Sequence, residues 1–464
     1  MELSLGEIAA ILHGISGAPD RVARSYSIDS RSIASGSLFF AIRGPSRDGH
    51  VFVAEAVARG AAGAVVEREW AATAPLGLAP FLIPVASTVS ALQCLGRAVR
   101  RKWGKPLVAV TGSTGKTTTK ELIAAALGAQ YAVHKSSENL NNHLGVPLSL
   151  LALTPRHELA VLEFGMSHSG EIAFLAKMAE PGVGVVTNVA PAHLEFFESI
   201  EAIASAKREL VENLAQPATA ILNYDDVRVR GFGKGFAGHV VTYGFDLGAD
   251  YRATGFHLSA TRSATVVSAF RVQGSDCEAE FQLPLPGRHN VENALAAVAV
   301  GYTFGVPLLL IADALQKFTP LRHRAELLRP PAGATVINDC YNSNPRALGQ
   351  MLDLLRDWPG AMRRIVLAGE MLELGPSSPE LHRAAGRKCA ESSVDWLLAV
   401  QGDARMLMEG AVEAGFSAER ARFFGEAADA GRFGRSILQR GDVVLVKGSR
   451  GVHLERALQE LVSD

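Results

Sequence analysis

Residues 107–127 read LVAVTGSTGKTTTKELIAAAL, an apolar run that enters Thr111-Gly112-Ser113-Thr114-Gly115-Lys116-Thr117 and leaves as a helical pattern. Glycines let a backbone wrap closely enough for its N–H groups to face phosphate oxygens, and a helix N-terminus adds partial positive charge. In such a loop Gly112, Ser113, Thr114, Gly115 and Thr118 surround the phosphates, Lys116 reaches the terminal ones, and the Thr117 hydroxyl is a Mg²⁺ ligand. The usual pattern has an earlier glycine where this chain has Val110. The chemistry indicated is binding of nucleotide phosphates.

Three further residues, Glu163, His193 and Lys207, suggest a metal beside that loop. Glu163 closes the run LAVLE, and the C-terminal end of a parallel strand is where α/β sheets place their ligands. A carboxylate there offers the hard oxygens that Mg²⁺ takes. Asn188 and His193 follow the next run, in VVTNVAPAH. Lys207 completes the apolar stripe Ile200, Ile203, Leu210, Leu214 at helical spacing. A buried ammonium is unfavourable. Either the side chain reaches out to water, or its amine reacts with CO₂ and serves as an anionic carbamate ligand.

The elements that must position these groups alternate. Short β-type runs (38–42, 64–66, 107–110, 159–163, 183–187, 336–339, 365–368, 397–400 and 443–446) are mostly followed by helical patterns. That rhythm predicts βα units and mainly parallel sheets. Residues 250–285 change to short alternating segments, which predicts a small antiparallel addition. The basic stretch 97–106 and the Pro- and Arg-rich stretch 318–331 read as linkers. Residues 294–312 carry no charge, but Gly301, Gly305 and Pro307 interrupt them, which predicts two buried helices rather than a membrane span.

Composition bounds the rest. The chain has 464 residues, enough for about three domains. It is 48% hydrophobic with a net charge of -1, which fits filled cores and gives no global field for holding nucleic acid. Four dispersed cysteines and an N-terminus without a basic n-region predict neither a disulfide framework nor a signal peptide, and fit the cytoplasm.

Taken together, these segments resemble the Mur ligases, ATP-dependent amide-forming enzymes of peptidoglycan synthesis, over nearly the whole chain. The quoted matches are Asp29-Ser30-Arg31 with SGSLFFAIRG, the TG-x-x-GKT loop, SSENLNNHLGVPLSLL, GRHNVENALAA, LRHRAEL, NDCYNSNPRAL, LAGEMLELG and KGSRGVHLE. The resemblance implies an α/β protein of three domains. Residues 1–104 form a smaller N-terminal UDP-sugar domain. Residues 105–318 form a central P-loop-type ATP and catalytic domain on a mainly parallel sheet flanked by helices. Residues 319–464 form a Rossmann-like domain that binds the incoming dipeptide. It makes Lys116, Glu163, His193 and Lys207 catalytic, with Thr117, Glu163, His193 and carbamylated Lys207 as ligands of two Mg²⁺ ions. Asn290, Asn293 and Arg324 join the loop as ATP contacts, and Ser30, Arg31, Asn141, Asn142, Asp339, Tyr341, Asn342 and Asn344 become substrate contacts. Glu370 stands where members usually carry aspartate.

The NDCYNSNP element favours the branch that joins D-alanyl-D-alanine to UDP-N-acetylmuramoyl-tripeptide, with no nucleic-acid partner and a monomeric protein. Asn344-Pro345-Arg346 reads as a helix start, because proline suits the first turn. The base for the incoming amine is open between Asp339 and His382. Separate ATP and sugar sites imply closure, with the last domain swung away before substrates bind. The alternatives are another Mur ligase, a folylpolyglutamate-type ligase, a P-loop small-molecule kinase, or a nucleotide-switched binding protein.

Overall fold

Strands rich in Val, Ile, Leu and Ala on both faces must be covered on both sides, which parallel sheets with flanking helices achieve. The computed structural model, which describes all residues except Ser46, Glu138, Ala192, His193, 261–265 and Asp464, gathers such strands into three main sheets. A short antiparallel ribbon, β1 (Leu3–Ser4) with β2 (Val22–Ala23), comes first. The first sheet is parallel, in the order β3 (Ser25–Ser27), β4 (Ser37–Phe40), β5 (Gly63–Glu67), β6 (Leu82–Val85).

The second sheet contains β7 (Leu107–Thr111), β8 (Val133–Lys135), β9 (Leu159–Glu163), β10 (Val183–Val186), β11 (Thr219–Asn223), β12 (His239–Gly244), β13 (Tyr251–Ala260), β14 (Val266–Gln273) and β15 (Glu278–Leu283). Its order is β15-β14-β13-β12-β11-β10-β7-β9-β8. Residues from β13 onward form the expected antiparallel addition, while β8 to β13 run parallel. The third sheet contains β16 (Glu326–Leu328), β17 (Thr335–Asn338), β18 (Arg364–Gly369), β19 (Trp396–Val400), β20 (Ala421–Phe424) and β21 (Val443–Lys447), in the order β16-β17-β21-β18-β19-β20. Only the edge strand β16 is antiparallel.

The stretch 97–106 is not a linker. Residues Thr88–Trp103 are one helix, capped by Ser87 and ended by Gly104 at φ +66°. Its basic residues have partners in the middle of the chain: Arg101 pairs with Glu180, and the buried Arg100 donates to the Ala179 and Glu180 carbonyls. Leu92, Leu95 and Val99 enter one core with Leu38 and Val65 of the first sheet, with Val146 and Leu150 of the helix Gly145–Leu151, and with Leu162 of β9. The second proposed linker, 318–331, carries the edge strand β16.

The charge-free stretch 294–312 divides as expected, into helices Arg288–Thr303 and Leu308–Gln316. Among the described residues no helix is long and apolar enough to cross a membrane. All four cysteines are free, though only Cys340 and Cys389 are buried.

The last unit is not swung away. Arg346, at the start of helix Pro345–Arg356, donates to Asp226 Oδ2 at 3.1 Å and to the Val189 carbonyl at 3.4 Å. The Glu195 N–H donates to the Glu373 carbonyl at 3.2 Å, so the loops after β10 and β18 also meet. Polar links between facing loops hold the third sheet's unit against the second.

Candidate active site

In the second sheet β7 lies between β9 and β10, so the chain winds outward from it in both directions. Ligands of α/β sheets bind beyond the strand ends at such a switch point. The loop 112–115 follows β7 there, and Glu163 ends the neighbouring β9. The loops after β17 and β21 of the third sheet face this position across a cleft of about 880 Å³. Lys116, Thr117, Glu163, Lys207, Asn290, Asn293, Arg324, Asp339, Tyr341 and Asn342 all line it.

The loop's shape is fixed by protein contacts. Asn188 Oδ1 accepts the Thr114 N–H at 3.0 Å, and Thr187 Oγ1 donates to the Thr114 carbonyl at 2.6 Å. Ser113 Oγ donates to the Ala190 carbonyl at 3.1 Å. Gly112 has φ +150°, and a Cβ on it would lie 1.8 Å from Thr187 Oγ1. Gly112→Ala is therefore expected to lower stability by about 3 kcal/mol and to weaken ATP binding at least tenfold. Denaturant unfolding and calorimetric titration with ATP check this.

Opposite the loop, Asn293 Oδ1 accepts from Thr119 Oγ1 at 3.1 Å and would be 2.4 Å from a Cβ on Gly115. Asn290 and Asn293 thus both line the cleft, and Asn293 also braces the loop.

The helix Lys116–Gly128 begins with Lys116, whose Nζ donates to the Gly112 carbonyl at 2.9 Å. Burial pushes the Lys116 pKa down, an effect that Glu163 opposes and Arg324 adds to. Thr117 Oγ1 donates to Glu163 Oε2 at 2.7 Å, and Asn141 Nδ2 donates to Glu163 Oε1 at 2.8 Å. Arg324 Nη2 donates to Thr117 Oγ1 at 3.1 Å while its guanidinium lies 4.1 Å from the Tyr341 ring centre.

Lys207 is 2% exposed in helix Ile200–Glu212. Burial first and Lys116 second push its pKa well below the usual lysine range. Such an amine is available as a neutral nucleophile. Among the described residues no three His, Cys, Asp or Glu side chains converge as a metal cluster. His193 lies outside the described residues. The neighbouring donors are the Thr117 hydroxyl and the Glu163 carboxylate, hard oxygens that fit Mg²⁺, and a carbamate on Lys207 would add another.

On the third sheet, Asp339 follows β17 and Lys447 ends β21. Their side chains pair at 2.5 Å, and Lys447 also donates to the Asn342 carbonyl at 3.0 Å. Asp339 Oδ1 accepts the Ala325 N–H at 3.1 Å, so this carboxylate orders the loop that carries Arg324.

Several expected contacts have other work. His382 is fully buried away from the cleft: its Nε2 accepts the Met371 N–H at 2.9 Å and its Nδ1 lies 2.8 Å from the Ser378 carbonyl. It is a packing residue and not a base. Asn142 lines the cleft, but its Oδ1 accepts the Leu144 and Gly145 N–H groups at the start of a helix. Asn344 likewise caps helix Pro345–Arg356 through the Ala347 N–H, with Pro345 in the first turn as its sequence suggests.

Glu370 takes the Asp403 N–H at 2.9 Å and does not line the cleft. Ser30 and Arg31 sit on the first sheet's unit, apart from the cleft lining. Arg31 is exposed and pairs with Asp29 at 2.7 Å.

The cleft also contains groups that sequence reading passed over. Glu292, one residue before Asn293, is pushed up to about 7 by burial, with Arg346 opposing the shift. His168 lies on the loop after β9 and Glu171 begins the helix Glu171–Ala179 that follows it. A histidine three residues before a glutamate was the available signal.

Three family descriptions match the chain in order: Mur ligase family, catalytic domain, over 23–100; Mur ligase middle domain over 110–301; and Mur ligase, glutamate ligase domain, over 323–450. The UDP-N-acetylmuramoyl-tripeptide–D-alanyl-D-alanine ligase of Bacillus subtilis (strain 168) is 33% identical over 441 residues, covering 95% of this chain and 93% of its own length. The Escherichia coli (strain K12) protein of that name is 32% identical over 469 residues, with 99% of each covered. Among solved structures, MurF from Acinetobacter baumannii superposes with a TM-score of 0.89 at 30% identity, covering 100% of this chain and 99% of that one. MurF from Thermotoga maritima in complex with ADP gives 0.82 at 27% identity, covering 95% and 97%.

Proposed function

The chain belongs to the Mur ligase family, and we propose that it is the member that joins D-alanyl-D-alanine to UDP-N-acetylmuramoyl-tripeptide with hydrolysis of ATP to ADP and phosphate. One observation carries this reading. The phosphate loop, Glu163 and Lys207 of the second sheet's unit share a single cleft with Asp339, Tyr341, Asn342 and Lys447 of the third. Phosphoryl donor and incoming nucleophile can therefore be held by different units and meet.

The chemistry follows from charge. The terminal carboxylate of the tripeptide attacks the γ-phosphorus and ADP departs, leaving an acyl phosphate. The dipeptide amine then attacks the acyl carbon, and collapse of the tetrahedral intermediate releases phosphate and leaves an amide. Two anions must approach in the first step. Lys116 and Arg324 place positive charge there in a buried setting, where it stabilises charge strongly.

When bound, Mg²⁺ supplies further charge neutralisation, with Thr117, Glu163, His193 and carbamylated Lys207 as its proposed holders. Asn290 and Asn293 are assigned to the adenine and ribose. Ser30 and Arg31 are assigned to the UDP-sugar, with Asn141 and Asn342 along the substrate path. The protein is proposed to act as a cytoplasmic monomer.

A two-substrate phosphate-release assay tests the reading. Phosphate and ADP are expected only when UDP-tripeptide and D-alanyl-D-alanine are both present. Phosphorylated product without dipeptide would mean a kinase, nucleotide binding without turnover would mean a switch, and acceptance of glutamate on a folate would mean the polyglutamate branch.

A further inference from the structure

The reaction leaves one proton without an assigned acceptor. The dipeptide arrives as an ammonium, and an α-amino group loses its proton unaided only near pH 8. Groups on the cleft wall that could accept it include Glu292, Asp339, His289, His143 and His168. Glu292 is deeply buried, with Arg346 and Arg288 near it. Asp339 is neutralised by Lys447. His289 is held down to about 4 by burial, which makes it a weak base. His143 shares its backbone carbonyl with Gln93 and has no carboxylate partner among the described residues.

His168 is furnished differently. Its Nδ1 lies 3.4 Å from Glu171 Oε1. Glu171 is itself held in place, because its Oε2 accepts the Ser167 N–H at 2.7 Å and the His168 N–H at 3.2 Å. The imidazole rests against Phe196, with ring centres 5.1 Å apart. One ring nitrogen is thus oriented by a fixed carboxylate, and Nε2 has no protein partner among the described residues. A base whose second nitrogen is oriented by a third group is the arrangement that activates nucleophiles.

We propose that His168, oriented by Glu171, is the general base that takes the proton from the incoming amine; this rests on the ligase reading above. Nε2 accepts one ammonium proton and later passes it to solvent. The freed lone pair forms the C–N bond as the carbonyl π electrons move to oxygen. Collapse re-forms the carbonyl and breaks the C–O bond to phosphate, and the remaining surplus nitrogen proton leaves with that phosphate. Charged groups near this loop include several carboxylates, with Lys207 lining the same cleft. Glu209 of helix Ile200–Glu212 accepts the Gly170 and Ala173 N–H groups, Glu195 and Glu198 flank Phe196 in sequence, and Glu373 meets Glu195 through the backbone.

The two half-reactions separate the outcomes. Positional isotope exchange in β,γ-¹⁸O-labelled ATP, run with UDP-tripeptide and no dipeptide, reports acyl-phosphate formation alone. In His168→Asn this exchange is expected within about threefold of the wild-type rate. Amide formation at neutral pH is expected to fall by about 10²–10³-fold. That deficit should shrink above about pH 9, where the amine is already free. Glu171→Gln should show the same pattern with a smaller deficit.

Amide formation within about threefold of wild type would overturn the proposal. So would a deficit that does not change with pH, or an equal loss of exchange. Wild-type protein that shows no exchange with UDP-tripeptide would instead refute the ligase reading.

Discussion

Lys207→Ala is expected to lower turnover by on the order of 10³-fold, the scale of losing one preorganised charge-stabilising group. The argument begins with burial. An amine that is 2% exposed and close to Lys116 is costly to charge, so its neutral form is favoured, and only a neutral amine adds to CO₂. A carbamate formed there would be an anion lining the same cleft as Thr117 and Glu163.

Two features separate this from a packing defect. Short carboxylic acids should partly restore turnover in Lys207→Ala, because they return an anionic oxygen to the space left behind. Lys207→Met should melt no lower than the wild type, because it removes a buried group that must shed a proton on folding. Normal turnover in Lys207→Ala, or the absence of any rescue by acetate or propionate, would sink the idea. Mass spectrometry of the intact protein in bicarbonate buffer offers an independent reading of the added CO₂.

Lys116→Ala should be comparably damaging, about 10²–10³-fold in kcat, with a smaller change in the KM for ATP. The ammonium donates to the Gly112 carbonyl across its own loop and so is held where the transferring phosphoryl group would develop charge. The loop itself is built by Asn188, Thr187 and Ser113, so phosphate binding should survive without Lys116. Nucleotide binding by calorimetry and single-turnover phosphate release distinguish the two effects. A variant with kcat within tenfold of wild type would exclude the role.

Local signals were legible in the sequence, and distant partnerships were not. The strand–loop–helix around Lys116 and the strand-end position of Glu163 follow from patterns within a few residues. Lys207 stood out because it breaks an apolar stripe. The helix Thr88–Trp103 was missed because Arg97, Arg100, Arg101 and Lys102 suggested an exposed connector. Arg100 and Arg101 find their partners at Ala179 and Glu180, about eighty residues away. Arg346 and Asp226, which join two units, are 120 residues apart.

Side-chain role was equally hidden for Asn142, Asn344 and His382. An amide or imidazole that serves a backbone N–H looks the same in a sequence as one that meets a substrate. His168 gives no signal of its own in the sequence because its significance depends on Glu171 being fixed and Phe196 being close.

The bracing of the phosphate loop also bears on how the substrates load. Its curvature is set by Asn188, Thr187, Ser113 and the contact of Asn293 with Gly115, all from the second sheet's unit. ATP should find this seat already shaped, without an entropic penalty for organising it. The dipeptide's proposed contacts belong to the third sheet's unit, across the cleft from that seat, so its binding depends on the polar links that hold the two units together. ATP should therefore bind with an affinity that is nearly indifferent to the other reactants. Dipeptide binding should instead weaken when the Arg346–Asp226 link between the units is removed.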